Sequence, residues 1–196
     1  LAEIGYLDLA YNRVNKVLLK NPEFPEGIFL ATKLIVNSNN KSLAINVSRK
    51  LASLSTRRNE IGIEAIRHMT LINLLEPLSQ NALERCIELL RANSSSKPID
   101  FLRVYALLYT KTQNSSKQNL IISQCSSMLN LDNKEELLIF SNWLGKLGAF
   151  EYLIHYLPAS KAKVDEDFFK LRMSALARLG NIERISQELN DAPIIP

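Results

Sequence analysis

Few residues of this chain have types and spacing that could do chemistry. The two histidines, His68 and His155, are far apart, and neither sits in an HExxH or similar pattern that would aim two imidazoles at one zinc ion. Both are read as structural or solvent-facing. Cys86 and Cys125 lie among apolar neighbours, where a thiol packs as a small hydrophobe. No basic pattern beside them would generate a thiolate, and two cysteines build no disulfide framework. There is no Gly-rich phosphate loop, no GxSxG elbow and no paired-Cys metal motif. Glu135-Glu136 and Asp165-Glu166-Asp167 fall at expected helix starts, where acidic groups complement the helix dipole. Asn-x-Ser sequons occur at Asn40, Asn46, Asn93 and Asn114, but the chain is rich in both residues and Asn46 falls mid-helix, so chance matches are expected. The expectation is therefore no catalytic residue, no cofactor and no metal.

What could position a working surface is a set of helices. Apolar residues recur at three- and four-residue steps, as in Leu9, Val14, Val17, Leu18 and in Ile61, Ala65, Met69, Ile72. No stretch alternates as a strand would. Turn signals separate helices of about 12–16 residues, and Ser42, Ser79, Asp100 and Asp165 are expected N-caps. Arg57-Arg58 reads as a helix–helix junction. Trp143, Tyr105, Tyr109, Phe101, Phe168 and Phe169 fall at helix-face spacing and are expected to pack in the core. The turns at Gly5, Asn39-Asn40, Glu76, Asn114, Gly148 and Gly180 stand roughly 35, 36, 38, 34 and 32 residues apart, the period of a helix-turn-helix solenoid. One such pair cannot bury its apolar face alone, so neighbours must stack.

Composition agrees. The chain has 196 residues, is 46% hydrophobic and contains only 6 Gly and 7 Pro, which excludes disordered and collagen-like classes. No apolar run approaches the roughly 18 residues of a membrane helix, so no membrane contact is expected. Residues 1–98 carry 13 basic and 9 acidic side chains, and residues 99–196 carry 11 of each. The pI of about 9.1 therefore reflects the first half, and the modest excess reads as a solvated surface rather than a nucleic-acid footprint. The chain opens at Leu1, without Met and inside an apolar-periodic stretch. A fragment of a longer chain is expected. No targeting segment is visible and the compartment is not legible; disulfide-free cysteine use is compatible with the cytoplasm.

The segment from Gly5 through Ala10 to Asn21-Pro22 resembles the second half of a tetratricopeptide repeat, in which a Gly opens the second helix, a small residue follows and Asn/Asp-Pro closes the unit. Leu144 to Tyr152 with Pro158, and Ala175 to Ile185, carry a similar turn, while the middle units lack the turn Gly. Small residues such as Ala10, Ala31, Ala65 and Ala106 would let helices approach closely. The resemblance implies an all-α fold, a right-handed α-solenoid of stacked antiparallel helix pairs. A single domain over 1–196 is expected, with a half-repeat at 1–24 and units at 25–58, 59–97, 98–132, 133–163 and 164–196.

In solenoids of paired helices, partners usually dock on the groove lined by the first helices. Counting back from each turn places Arg103, Leu107 and Lys111, then Asn142 and Lys146, then Lys170, Ser174 and Arg178 on that face, at spacings of about four residues. In the resembling family, Lys, Asn and Arg at such places clamp the carboxylates of an extended or C-terminal peptide. The expected function is a non-catalytic scaffold that binds a protein or peptide segment. One alternative is a pentatricopeptide-like solenoid binding single-stranded RNA, which irregular unit lengths disfavour. Another is a regulatory or dimerisation module of a larger protein. Oligomeric state is left open.

Overall fold

The computed structural model describes residues 2–191, with side chains from Tyr6 onward; residue 1 and residues 192–196 of the expected first and last units lie outside the described residues. Among the described residues there are twelve helices and no strand. They are α1 (Ala2–Lys20), α2 (Pro25–Ser38), α3 (Lys41–Leu54), α4 (Glu60–Ile72), α5 (Gln80–Arg91), α6 (Pro98–Lys111), α7 (Ser115–Ser127), α8 (Lys134–Lys146), α9 (Phe150–Tyr156), α10 (Ala159–Ala162), α11 (Glu166–Arg178) and α12 (Ile182–Asn190). None is long and apolar enough to cross a membrane.

Turn chemistry explains where the helices stop. Asn39, Gly148 and Gly180 adopt φ of 55°, 71° and 70°, a left-handed conformation that costs Asn little and Gly nothing. Behind each, an amide reaches back five residues to a helix carbonyl: Asn40 to Ile35, Ala149 to Leu144, and Asn181 to Leu176, at 3.1, 3.0 and 3.0 Å. These bonds satisfy carbonyls the helix end would leave open. Helix starts are closed by side chains. Asn59, Ser79, Asn114, Asn133 and Asp165 accept from the first-turn amides of α4, α5, α7, α8 and α11.

Three local expectations are corrected. Gly5 lies inside α1 rather than at a turn. Ser42 is the second residue of α3; Asn40 is the N-cap, and the Ser42 hydroxyl donates to Asn40 Oδ1 at 2.8 Å. Asp100 is the third residue of α6, where its carboxylate accepts from the Lys97 amide at 3.1 Å, the reciprocal half of a capping box. For Ser42 and Asp100 a polar residue near a helix start was visible, but its register was not.

By packing, the chain divides into two compact units, Leu1–Lys111 and Thr112–Pro196. The division falls inside the expected 98–132 unit, between α6 and α7. In the first unit, α1 packs on α2, α2 on α3, α3 on α4, and α5 on α6, while α2, α4 and α6 meet in succession. Its core includes Ile28, Ile35, Leu51, Ile63, Ile72 and Leu83, all under 2% exposed. Ala31 and Ala65 are fully buried, as close helix approach requires. In the second unit α11 is the hub, packing against α8, α9, α10 and α12. Phe140, Leu144, Leu153, Leu157 and Leu176 fill its core, each fully buried side chain contributing roughly 1.5–3 kcal/mol. Trp143 stacks on Phe140 at 5.7 Å, and Tyr105 and Phe168 are buried. On α1 the expected apolar face is only half used: Leu18 is buried, whereas Leu9 and Val17 are exposed.

Long-range polar links differ in separation between the units. In the first, Arg57–Glu23, Arg67–Asp100 and Asn93–Asn59 join residues 34, 33 and 34 positions apart. In the second, Tyr152–Asn119 spans 33, Tyr156–Ser126 30 and Lys161–Asp132 29.

Candidate functional site

Helices α8 and α11 position the candidate groove of the second unit. On α8, Leu137, Phe140 and Leu144 point into the core, which leaves Asn142 and Lys146 exposed one turn apart. On α11, buried Phe168, Arg172 and Ala175 leave Lys170, Ser174 and Arg178 exposed along a single stripe. The helices contact one another, and the stripes meet across two connected hollows. One, of about 280 Å³, is lined by Asn142, Lys146, Phe150, Leu171, Ser174 and Arg178. The other, of about 450 Å³, shares Asn142, Leu171 and Ser174 and adds Leu138, Asp167 and Lys170. Five of the eight expected groove residues are thus brought together.

The remaining three stand on α6, in the first unit. Arg103 borders a separate hollow of about 510 Å³ with Lys33, Arg67, His68, Leu71 and Leu74. Lys111 is exposed and Leu107 half-buried, and neither lines that hollow.

Charge is distributed unevenly along the α8–α11 groove. At one end Lys170 is ion-paired with Glu166 at 2.5 Å, and this carboxylate raises the Lys170 pKa. Asp167 stands beside it. At the other end Lys146 and Arg178 have no acidic partner among the described residues. Asn142 donates to the Leu138 carbonyl at 2.9 Å, which leaves its side-chain oxygen as an acceptor. The groove therefore has a cationic end with a neighbouring hydroxyl and amide, an apolar floor of Leu171 and Phe150, and an electrically balanced end. This arrangement can hold an anionic group beside an apolar one.

Two polar connections hold the helices that carry these groups. The Lys134 ammonium pairs with the Asp165 carboxylate, tying the start of α8 to that of α11. Their hydrogen bond raises the Lys134 pKa and lowers that of Asp165. Deeper, Arg172 is fully buried on α11 and uses every guanidinium nitrogen. Nε and Nη2 donate to the two oxygens of Glu188, both at 2.7 Å, and Nη1 donates to the carbonyls of Leu157 and Ile154 at 2.6 and 3.1 Å. These bonds hold the Glu188 carboxyl below its ordinary range. The sequence reading missed Arg172, because a lone Arg on an amphipathic helix carries no mark of burial. Its only signal was position: it interrupts the apolar stripe between Phe168 and Ala175.

The residues weighed for chemistry are placed as follows. His68, on α4, is 4% exposed, stacks on Phe29 at 4.6 Å and donates from Nδ1 to the Glu64 carbonyl at 2.9 Å. Burial lowers its pKa from the ordinary histidine value, against the opposing pull of Glu64. His155, on α9, is exposed and meets Tyr156 edge-on. Cys86 and Cys125 are buried free thiols, pushed by burial up to about 11 and about 12. No family model, curated protein or solved structure matches the chain.

Proposed function

We propose that this chain is a non-catalytic interaction domain, built of tetratricopeptide-like helix pairs stacked in a right-handed sense, whose α8–α11 groove binds an extended or C-terminal segment of a partner protein. The observation that carries this reading is the pairing of Lys146 with Arg178 at one end of the groove, exposed and without an internal acidic partner, beside Ser174, Asn142 and an apolar floor. Cations already neutralised inside the protein, as Lys170 is by Glu166, have little left to offer a ligand. Among the described residues Lys146 and Arg178 have no such partner, which leaves both to meet a partner's carboxylate. Leu171 and Phe150 offer an adjacent side chain an apolar surface. Exposed ion pairs contribute about 1 kcal/mol or less each, so the cations would orient a carboxylate while the apolar floor supplies buried area.

The test is an array of acidic and C-terminal peptides, followed by fluorescence anisotropy on those retained. Lys146→Glu and Arg178→Glu should each weaken binding by about tenfold or more, with thermal melts unchanged because both side chains are exposed. Affinities that do not respond to either reversal would refute the groove. Binding instead to single-stranded RNA, weakening steeply with salt, would favour the solenoid's alternative use.

A further inference from the structure

Along α11 the groove carries opposite charges at its two ends. Asp167, Leu171, Ser174 and Arg178 follow at steps of four, three and four residues, which puts all four on one line of the helix. Leu138, Asn142 and Lys146 make the matching line on α8, at steps of four. The ion pair of Lys134 with Asp165 ties the two helix starts together, and Lys146 and Arg178, near the two helix ends, border one hollow. Both helices therefore run the same way past the groove. At their starts Lys134 is paired with Asp165 and Lys170 with Glu166. The exposed carboxylate of Asp167 is left over, in no ion pair among the described residues. At the other end the groups left over are Lys146 and Arg178. The helix dipole favours acids at a helix start and bases at its end, but it does so on every side of the helix. It does not account for an acid, a leucine, a hydroxyl and a base on the one line that faces the groove.

Given that this groove is the binding site, as proposed above, we infer that its occupant is a bipolar protein segment. It has a Lys or Arg at one end, an Asp, Glu or terminal carboxylate at the other, and a large apolar residue midway. The spacing follows from the helix. Asp167 and Arg178 stand eleven positions apart on α11, about 16 Å along its axis. An extended segment advances about 3.3 Å per residue and turns alternate side chains to the groove. Its basic and acidic residues therefore stand four positions apart, and the long side chains of Lys146 and Arg178 cover the remaining distance. The residue midway faces Leu171 and Phe150. Between the charged ends, Asn142 Oδ1 and the Ser174 hydroxyl are placed to accept from the segment's backbone amides. A wholly acidic chain or a nucleic acid would bring its negative charge against Asp167. A wholly basic one would meet Lys146 and Arg178. A bipolar segment complements both ends.

The experiment is a heteronuclear NMR titration of the full chain with three peptides, each acetylated and amidated so that Glu is the sole carboxylate. The first is Lys-Ala-Leu-Ala-Glu, the second has Ala in place of Lys, and the third, Ala-Ala-Leu-Lys-Glu, keeps the composition of the first and loses its spacing. Saturable shifts of the Asn142, Leu171 and Ser174 amides are expected. The first peptide should bind about threefold to fivefold more tightly than the second, the gain of one exposed ion pair, and the third no more tightly than the second. Asp167→Asn should bring the ratio of first to second to about one, and Asp167→Lys should invert it. Lys146→Glu should weaken both peptides and preserve their ratio. Equal affinity of the first and second peptides, equal affinity of the first and third, or a ratio that Asp167→Asn does not move would overturn the bipolar occupant. If Lys146→Glu still weakened binding in those cases, the groove itself would stand. No saturable shift with any peptide would overturn both.

Discussion

Removing one partner of the Arg172–Glu188 pair tests whether the second unit depends on a buried charge. The Arg172 side chain is 0% exposed and that of Glu188 is 10% exposed. Glu188→Ala strands a guanidinium that keeps only two carbonyl acceptors, those of Leu157 and Ile154. Breaking a buried pair from one side costs about 3–5 kcal/mol, because the remaining charge stays desolvated. Arg172→Met leaves a less hostile remainder. Glu188 keeps Arg184, whose Nε lies 3.1 Å from Oε1 and whose side chain is half exposed, while the two carbonyls lose a donor. Each carbonyl left unsatisfied costs about 1–3 kcal/mol, less where water can enter. Glu188→Ala should therefore be the more damaging variant. The double variant Arg172→Met with Glu188→Leu should cost less than the sum of the single changes, since an apolar pair removes both charges together.

For a unit of this size about 3 kcal/mol corresponds to a fall of roughly 12–24 °C in Tm. Hydrogen exchange read by mass spectrometry should show the lost protection concentrated in α9, α11 and α12, which Arg172 and Glu188 connect. Acid should reproduce part of the effect in the native chain. Arg172 holds the Glu188 carboxyl below its ordinary pKa, so its stabilising contribution is complete above the ordinary Glu value of about 4.3 and is lost as pH falls through the lowered one. In Arg172→Met that part of the acid sensitivity should shrink. The reasoning is refuted if Glu188→Ala stays within about 0.5 kcal/mol of the native chain, or if Arg172→Met proves the costlier change.

Gly62→Ala should destabilise the first unit by about 1–3 kcal/mol, although Ala is the better helix former by about 1 kcal/mol. A Cβ there would meet the Arg57 carbonyl oxygen at 1.9 Å and the Ser55 carbonyl oxygen at 3.2 Å, both backbone atoms of the α3–α4 junction. A stabilising result in denaturant melts would show that the junction moves aside. Cys86 and Cys125, with pKa pushed up to about 11 and about 12, should resist an aromatic disulfide reagent at pH 8 in the native chain and react fully after unfolding. Rapid native reaction of either thiol would contradict its burial.

The legible parts of the fold were those with a local physical cause. A left-handed residue favours Gly or Asn, so Asn39, Gly148 and Gly180 announced their turns. Spacing of four residues put Asn142 with Lys146, and Lys170 with Ser174 and Arg178, on single helix faces, and the structure brings those faces together. Arg103, Leu107 and Lys111 obey the same spacing on α6, yet that helix belongs to the other unit. Asp100 shows what local reasoning lacks. An Asp near a helix start reads as a cap, but its carboxylate also lies 2.8 Å from Arg67 Nε, and Nη1 of the same arginine contacts Glu60 and Glu64. The choice of Asp100 over any other acid depends on which helices are neighbours.

Knowledge of the period narrows that choice. Arg67 finds Asp100 33 residues on, Arg57 finds Glu23 34 residues back, and Tyr152 finds Asn119 33 residues back. The chemistry differs each time: a part-buried bidentate ion pair, an exposed ion pair and a neutral hydrogen bond. Arg recurs in the two ion pairs, but no pair of residue types is repeated. In a stack of helix pairs, an element meets its counterpart one repeat away whatever side chains it carries, because helix and turn lengths set the offset and packing density holds it. Side chains at that offset can then form whichever polar contact their burial permits. The polar links of the first unit thus share a separation without sharing a pair of residue types.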